Sequence, residues 1–63
     1  MWRMFYRGQF IGCARYWNDG LAGWTACYAV GDEYRYAYKL KNKGAAKRWL
    51  TEQWLKRNPE ARS

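Results

Sequence analysis

The stretch that decides the fold runs from Tyr34 to Leu50, YRYAYKLKNKGAAKRWL. Its first half alternates Tyr34, Tyr36 and Tyr38 with Arg35, Ala37 and Lys39, the period-two pattern of a strand with two unlike faces. After Lys41 the period changes. Ala46, Trp49, Leu50, Gln53 and Trp54 fall at i, i+3, i+4, i+7 and i+8, which is one side of a helix, while Lys47, Arg48, Thr51 and Glu52 face away. Asn42 stands where an N-cap belongs, since its side chain accepts from a backbone N–H of the first turn. Asn58-Pro59 ends the helix, because proline disfavours α conformation in the residue before it. The reading is a strand over 34–40, a helix over 43–57 and a tail over 58–63 that frays.

Upstream, three more strands are expected. Trp2-Arg3-Met4-Phe5-Tyr6 alternates weakly and carries no helix signal, which gives a strand over 2–6. Arg7-Gly8 is a turn, because glycine takes positive φ without a Cβ clash. The second strand covers 9–17, with Gly12 and Ala14 leaving room for bulky neighbours. Asn18-Asp19-Gly20 is a strong turn signal, lengthened by Leu21-Ala22-Gly23. The third strand covers 24–30 and places Trp24, Ala26, Tyr28 and Val30 on one face. Gly31-Asp32-Glu33 turns the chain into the tyrosine strand. The expected fold is α+β, a single domain over 1–63: a small antiparallel β-meander of three to four strands followed by one C-terminal α-helix packed on one face. One helix covers only one face of such a sheet. The other stays open as a basic-aromatic platform or is buried in a dimer contact.

Size and composition narrow the classes. Sixty-three residues lie near the lower limit for folding without a metal or disulfide framework. Leu, Ile and Val are scarce, so five Trp, six Tyr and two Phe are expected to build the core, each burying roughly 150–250 Å². Thirteen aromatic residues exceed what one small core hides, so some are expected on the surface. The net charge of +7 calls for a counter-charge, and nucleic acid, an anionic membrane surface or an acidic protein supplies one. No stretch approaches the roughly 20 apolar residues of a membrane span. MWRMFYRG lacks a signal-peptide h-region, which gives a cytoplasmic expectation with no membrane partner. Two cysteines without any histidine do not make a zinc site. Cys13 and Cys27 are expected on neighbouring strands as two half-buried thiols, with a bridge geometrically open to them.

Three constellations carry candidate chemistry. Six of the fourteen residues from Arg35 to Arg48 are Lys or Arg, and none is acidic. Tyr34, Tyr36 and Tyr38 either stack on bases or sugars from an open face, with Arg35 and Lys39 at the rim, or form core. The entry to the helix, Lys39-Leu40-Lys41-Asn42-Lys43-Gly44, puts cations against the positive end of the helix dipole, which suits an anion such as phosphate better than it suits the helix alone. Arg3, Arg7 and Arg15 add charge to the first hairpin, with Arg7 at its tip placed for a groove or a phosphate. The candidate nucleic-acid-binding residues are therefore Arg7, Arg15, Arg35, Lys39, Lys41, Lys43, Lys47, Tyr34 and Tyr36, with Trp17 a further base contact. Asp19, Asp32, Glu33, Glu52 and Glu60 are scattered, no Ser/His or Cys/His pair exists, and no phosphate-binding glycine motif is present. No catalysis, metal or cofactor is expected.

YRYAYKLKNKGAAKRWLTEQW resembles the end of the arm-type DNA-binding domains found at the N-termini of phage integrases and in the related plant AP2 domains. There a strand leads through a Lys-rich turn into a helix with small and aromatic core residues, here Ala46, Trp49 and Leu50. The resemblance covers about the last half of the chain. It implies a sheet that lies in the DNA major groove, with Arg15, Arg35 and Lys39 facing DNA and Lys41 and Lys43 near phosphates. It also implies an accessory factor and not an integrase, similar to the small orphan proteins of phages and mobile elements. KNKGAAK is in turn similar to the Lys-rich start of the last helix in double-stranded-RNA-binding domains, although this chain has no counterpart of their first helix.

The leading expectation is a non-catalytic nucleic-acid-binding accessory protein, with DNA favoured over RNA, acting as a monomer or weak homodimer. The alternatives are a phage-type inhibitor or adaptor that binds an acidic host protein, and a self-associating structural protein that buries its open sheet face. Trp, Tyr and Arg are the residue types most enriched at interface hot spots, which favours the first alternative.

Overall fold

A computed structural model describes residues 1–17 and 23–62, without the side chains of Trp17, Ala61 and Arg62. The turn read at Asn18-Asp19-Gly20 and its extension through Leu21 and Ala22 lie outside the described residues. Four strands, β1 (Trp2–Tyr6), β2 (Gln9–Trp17), β3 (Gly23–Val30) and β4 (Glu33–Leu40), form one antiparallel sheet in the order β1-β2-β3-β4. Helix α1 (Lys43–Arg57) follows and packs on one face, as the change of period at Lys41 predicts. Within the tail, Pro59–Arg62 make a short 3-10 turn.

The turns show why the strands meet as they do. Arg7 and Gly8 both take positive φ, 50° and 81°, the handedness that matches strand twist in a two-residue hairpin. Asn42 caps α1 with its side chain, accepting from the Ala45 backbone N–H at 2.8 Å, and Asn58 closes the other end by donating its backbone N–H to the Trp54 carbonyl at 2.9 Å.

Two β-bulges, which simple alternation does not foresee, set the faces. In β1–β2, Phe5 pairs with Phe10 and Met4 with Gly12, so Ile11 is an extra residue in β2. Without it Phe10, Gly12 and Ala14 would share one face. With it Phe10 turns to the open side beside Phe5, and Ile11 enters the core. In β3–β4, Ala26 pairs with Ala37 and Trp24 with Leu40, which sets both Tyr38 and Lys39 against Thr25. Lys39 takes the left-handed conformation, φ 58°. The extra residue lets Tyr38 stay with Tyr36 on the open face while Leu40 turns back to the core.

The core corrects one expectation. Among the described residues its buried members are Met4, Ile11, Ala14, Ala26, Ala46 and Leu50, and no aromatic side chain is fully buried. Ala14, Ala26 and Ala37 are register neighbours across β2, β3 and β4, and Ala46 of α1 is buried over that side of the sheet. Small residues bring helix and sheet so close that no depth remains for a ring between them. On the helix side, Tyr6, Trp24, Tyr28, Trp49 and Trp54 form a half-buried collar instead, with Tyr16 exposed at its rim. Tyr6 meets Trp54 at 5.8 Å between centroids, Tyr28 meets Trp49 at 5.4 Å and Tyr16 meets Trp24 at 5.8 Å. A collar also suits their polar ends. The Tyr28 hydroxyl donates to Gln53 Oε1 at 3.3 Å, and the Arg57 guanidinium lies over the Tyr28 ring at 4.3 Å.

Candidate nucleic-acid interface

The sheet face away from α1 is where the surplus aromatic side chains stand. Alternation from the buried Met4, Ala14 and Ala26 positions, and from Ala37 in register with Ala26, places Arg3, Phe5, Phe10, Cys13, Arg15, Thr25, Cys27, Tyr34, Tyr36 and Tyr38 on this side. Phe5, Phe10, Tyr34, Tyr36 and Tyr38 are 46%, 48%, 65%, 51% and 56% exposed, so the tyrosine row is surface and not core. Tyr36 and Tyr38 are stacked, 15° between planes and 5.9 Å between centroids, and Tyr34 continues the row at 6.4 Å from Tyr36. Phe5 and Phe10 meet edge to face at 5.7 Å at the other side of the sheet. One register row, Arg3–Cys13–Cys27–Tyr36, crosses all four strands. At about 4.8 Å per strand, the platform spans roughly 14 Å from β1 to β4.

Among the described residues no carboxylate stands on this face. Asp32 lies in the β3–β4 turn, Glu52 on α1 and Glu60 in the 3-10 turn. Glu33 alternates to the helix side, where it pairs with Arg35 at 3.3 Å. Arg3 and Arg15 are the cations that the register places on this side. Burial, and then the neighbouring Cys13, push the Cys27 thiol up from its ordinary pKa.

The predicted residues divide between places. Tyr34, Tyr36 and Arg15 come together on the open face. Arg35 alternates to the helix side, where it lines a cleft with Tyr28, Trp49, Gln53 and Arg57 that Tyr36 also reaches at the sheet edge. Arg7 is at the β1–β2 tip, 5.4 Å from the Tyr6 ring centroid. Lys39 occupies the β4 bulge and Lys41 is exposed in the short link to α1. Lys43 sets its Nζ 3.5 Å from the Trp2 ring centroid, and Lys47 is exposed on α1 beside a shallow groove that includes Tyr6 and Thr51. The Trp2 face thus provides an internal partner for a cation at the helix N-terminus, about 0.5–1 kcal/mol at an exposed site. That contact weakens the argument that Lys43 is there for an external anion. The Trp17 side chain lies outside the described part.

Sequence reasoning did not single out Phe5 and Phe10, and it named Tyr38 and Arg3 in the tyrosine row and the hairpin charge without carrying them into the set of binding residues. Tyr38 was legible in the alternating row, and Arg3 in the alternation of β1. Phe10 was not legible, because only the bulge at Ile11 brings it to this face.

Among the described residues no helix is long and apolar enough to cross a membrane, and no cluster of three metal-ligating side chains occurs. Comparison with known protein families, curated proteins and solved structures finds no match to this chain.

Proposed function

We propose that the protein is a non-catalytic nucleic-acid-binding protein that takes an unpaired strand on its open sheet face. The observation that carries this reading is the joint occurrence, on one face, of five exposed rings and two arginines with no carboxylate among the described residues. Rings stack on bases, at about 1–3 kcal/mol per base, and arginines neutralise phosphate.

Geometry favours a single strand over a duplex. A duplex hides the faces of its bases and shows only their edges, in a major groove about 12 Å wide that admits a helix or a two-stranded ribbon. A four-stranded face about 14 Å across is too broad for it. Unstacked bases instead offer their π-faces directly. The Tyr36 and Tyr38 rings brace each other in one orientation, so little side-chain freedom remains to be lost on contact.

The test is the anisotropy of a labelled oligonucleotide, because the described tryptophan side chains lie on the helix side and report poorly on the open face. Single-stranded DNA, single-stranded RNA and duplex DNA of one sequence are titrated at two salt concentrations. Saturable binding to single strands is expected, weakening with salt by about 0.7 in log–log slope per neutralised phosphate. Equal binding to the duplex would remove the single-strand assignment. Failure of all three to bind, also by gel shift, would remove the nucleic-acid reading.

A second reading has one observation of its own. Phe5 and Phe10 are exposed rings without polar handles, which suits the apolar centre of a protein interface. An acidic protein partner then meets Arg3 and Arg15 at the rim. A stoichiometric complex that survives nuclease treatment would favour this alternative.

A further inference from the structure

Cys13 and Cys27 are direct register partners on β2 and β3, both half-buried on the open face and both unbridged. Opposed residues of an antiparallel ladder hold their Cα atoms about 4.5 or 5.5 Å apart, depending on which of the two alternating pair types they form. Both separations lie inside the roughly 4.4–6.8 Å that a disulfide spans, so the backbone spacing admits a bridge once the Cβ atoms are drawn in from about 4.5–5.5 Å to about 3.5–4.5 Å. Sequence spacing gave only neighbouring strands; the register aligns the two thiols opposite each other on one face. They also share a shallow hollow with Met1, Arg15, Thr25 and Tyr36, which a small thiol reagent reaches from solvent.

We propose that Cys13 and Cys27 form a closable dithiol, a modification site that a small disulfide of the glutathione type oxidises to an intramolecular bridge. One cysteine loses its proton to solvent, and its thiolate attacks a sulfur of glutathione disulfide. That S–S bond breaks, and one glutathione leaves as a thiolate that takes up a proton. The second cysteine, deprotonated in turn, attacks the protein sulfur of the mixed disulfide. The Cys13–Cys27 bond forms, and the second glutathione leaves and is protonated. Two protein thiols give up two electrons, and one disulfide is reduced to two thiols.

The surroundings fit this sequence of events. Arg3, the register partner of Cys13, and Arg15 make the face attractive to the anionic reagent. Cys13 itself helps to push the Cys27 thiol up, so two thiolates side by side are disfavoured. Capping one sulfur in the mixed disulfide removes that repulsion before the other attacks. The proposal is independent of what the face binds.

The test equilibrates the full chain in glutathione buffers from reducing to oxidising, quenches with acid, alkylates and reads intact mass and a non-reducing gel. The expected product in oxidising buffer is a monomer that has lost two hydrogen masses and both alkylatable thiols. Cys13→Ser and Cys27→Ser are each expected to stop at a glutathione adduct on the remaining sulfur. The proposal is overturned if the unmodified chain accumulates adducts on both cysteines or links to a second copy. It is equally overturned if both thiols persist in a buffer that oxidises a small dithiol control.

Discussion

Gly12 of β2 lies directly under Leu50 of α1: a Cβ placed on Gly12 would stand 2.7 Å from Leu50 Cδ2 and 2.5 Å from the Cys27 carbonyl oxygen. The backbone φ there is 149°, which side-chain-bearing residues rarely adopt. Two separate costs follow for Gly12→Ala, backbone strain and overpacking, each about 1–3 kcal/mol. A chain of this size has a total stability on the order of 3–9 kcal/mol. Urea unfolding of Gly12→Ala is expected to show a loss of several kcal/mol or no folded baseline at all. A midpoint equal to that of the unsubstituted protein would mean that helix and sheet are further apart than described.

Leu50→Ala tests the same contact from the other side. Leu50 is fully buried among Ala14, Ala26 and Ala46, whose short side chains leave little to collapse into the space it vacates. A loss of about 2–5 kcal/mol is expected in urea or thermal unfolding. Trp54→Ala removes a larger but only half-buried ring, and rigid packing at Leu50 predicts that the leucine change costs at least as much. The reverse order would place the energetic centre in the aromatic collar.

The N-cap is a local and smaller case. Asn42→Ala removes the side-chain acceptor of the Ala45 N–H and leaves that donor to water, at a cost of about 1 kcal/mol. Asn42→Asp keeps the acceptor and adds a negative charge at the positive end of the helix dipole, beside Lys41 and Lys43. It is expected to equal or exceed the original in thermal stability at low salt, with the gain shrinking as salt is added. An unchanged midpoint in Asn42→Ala would show that the cap contributes nothing.

How far the sequence carried the structure depended on what each segment's pattern encoded. The change from period two to period 3.6 between Tyr38 and Ala46 was legible, and so were the Asn42 cap and the stop at Asn58-Pro59, because each rests on local backbone chemistry. The bulges at Ile11 and Lys39 were not legible. A bulge is fixed by which residues the neighbouring strand and helix can accommodate, here Met4 and Leu50 around Gly12, and no local signal marks it. Both bulges bear on the candidate site: one delivers Phe10 to the open face, and the other keeps Tyr38 there. The place of the aromatic side chains was misjudged for a related reason. Counting rings gives the area available for burial, but the alanines at 14, 26, 37 and 46 set the gap into which they would have to fit. Arg35 was read as a rim cation of the tyrosine row, while the same alternation already put it on the opposite face, where the register with Tyr28 sets it.

The raised pKa of Cys27 gives a pH dependence with a definite sign. Burial and the neighbouring Cys13 favour the neutral thiol in the folded chain, so its folded pKa lies above the ordinary value of 9.0. Below that value both folded and unfolded chains hold the proton and the favourable thiol state is fully present. As pH rises, the unfolded chain releases its proton first, and stability falls until the folded thiol ionises too. Under reducing conditions the urea midpoint of the unsubstituted protein is expected to drop relative to that of Cys27→Ser as the pH rises through and above the ordinary thiol value of 9.0. A difference that stays flat, or that widens in favour of the cysteine, would contradict the burial of this thiol.

Tyr36 and Arg35 are adjacent in sequence but stand on opposite faces, which makes them the sharpest test of where the partner lies. Tyr36→Ala removes the middle ring of the tyrosine row and one side of the Tyr36–Tyr38 stack. If an unpaired strand lies on the open face, its affinity is expected to fall about 5- to 150-fold, the equivalent of one lost base stack at 1–3 kcal/mol. Tyr36→Phe keeps the ring and is expected to retain most of the binding. Arg35→Ala leaves the open face intact and is expected to stay within about twofold at moderate salt, where a charge on the far side is screened. Arg3→Ala, by contrast, removes a cation in register with Cys13 on the binding side and is expected to reduce the salt slope by about 0.7. Should Arg35→Ala cost more than Tyr36→Ala, the partner sits on the helix side. The cleft between α1 and strands β3 and β4, lined by Tyr28, Arg35, Trp49 and Arg57 with Tyr36 at its edge, then becomes the interface.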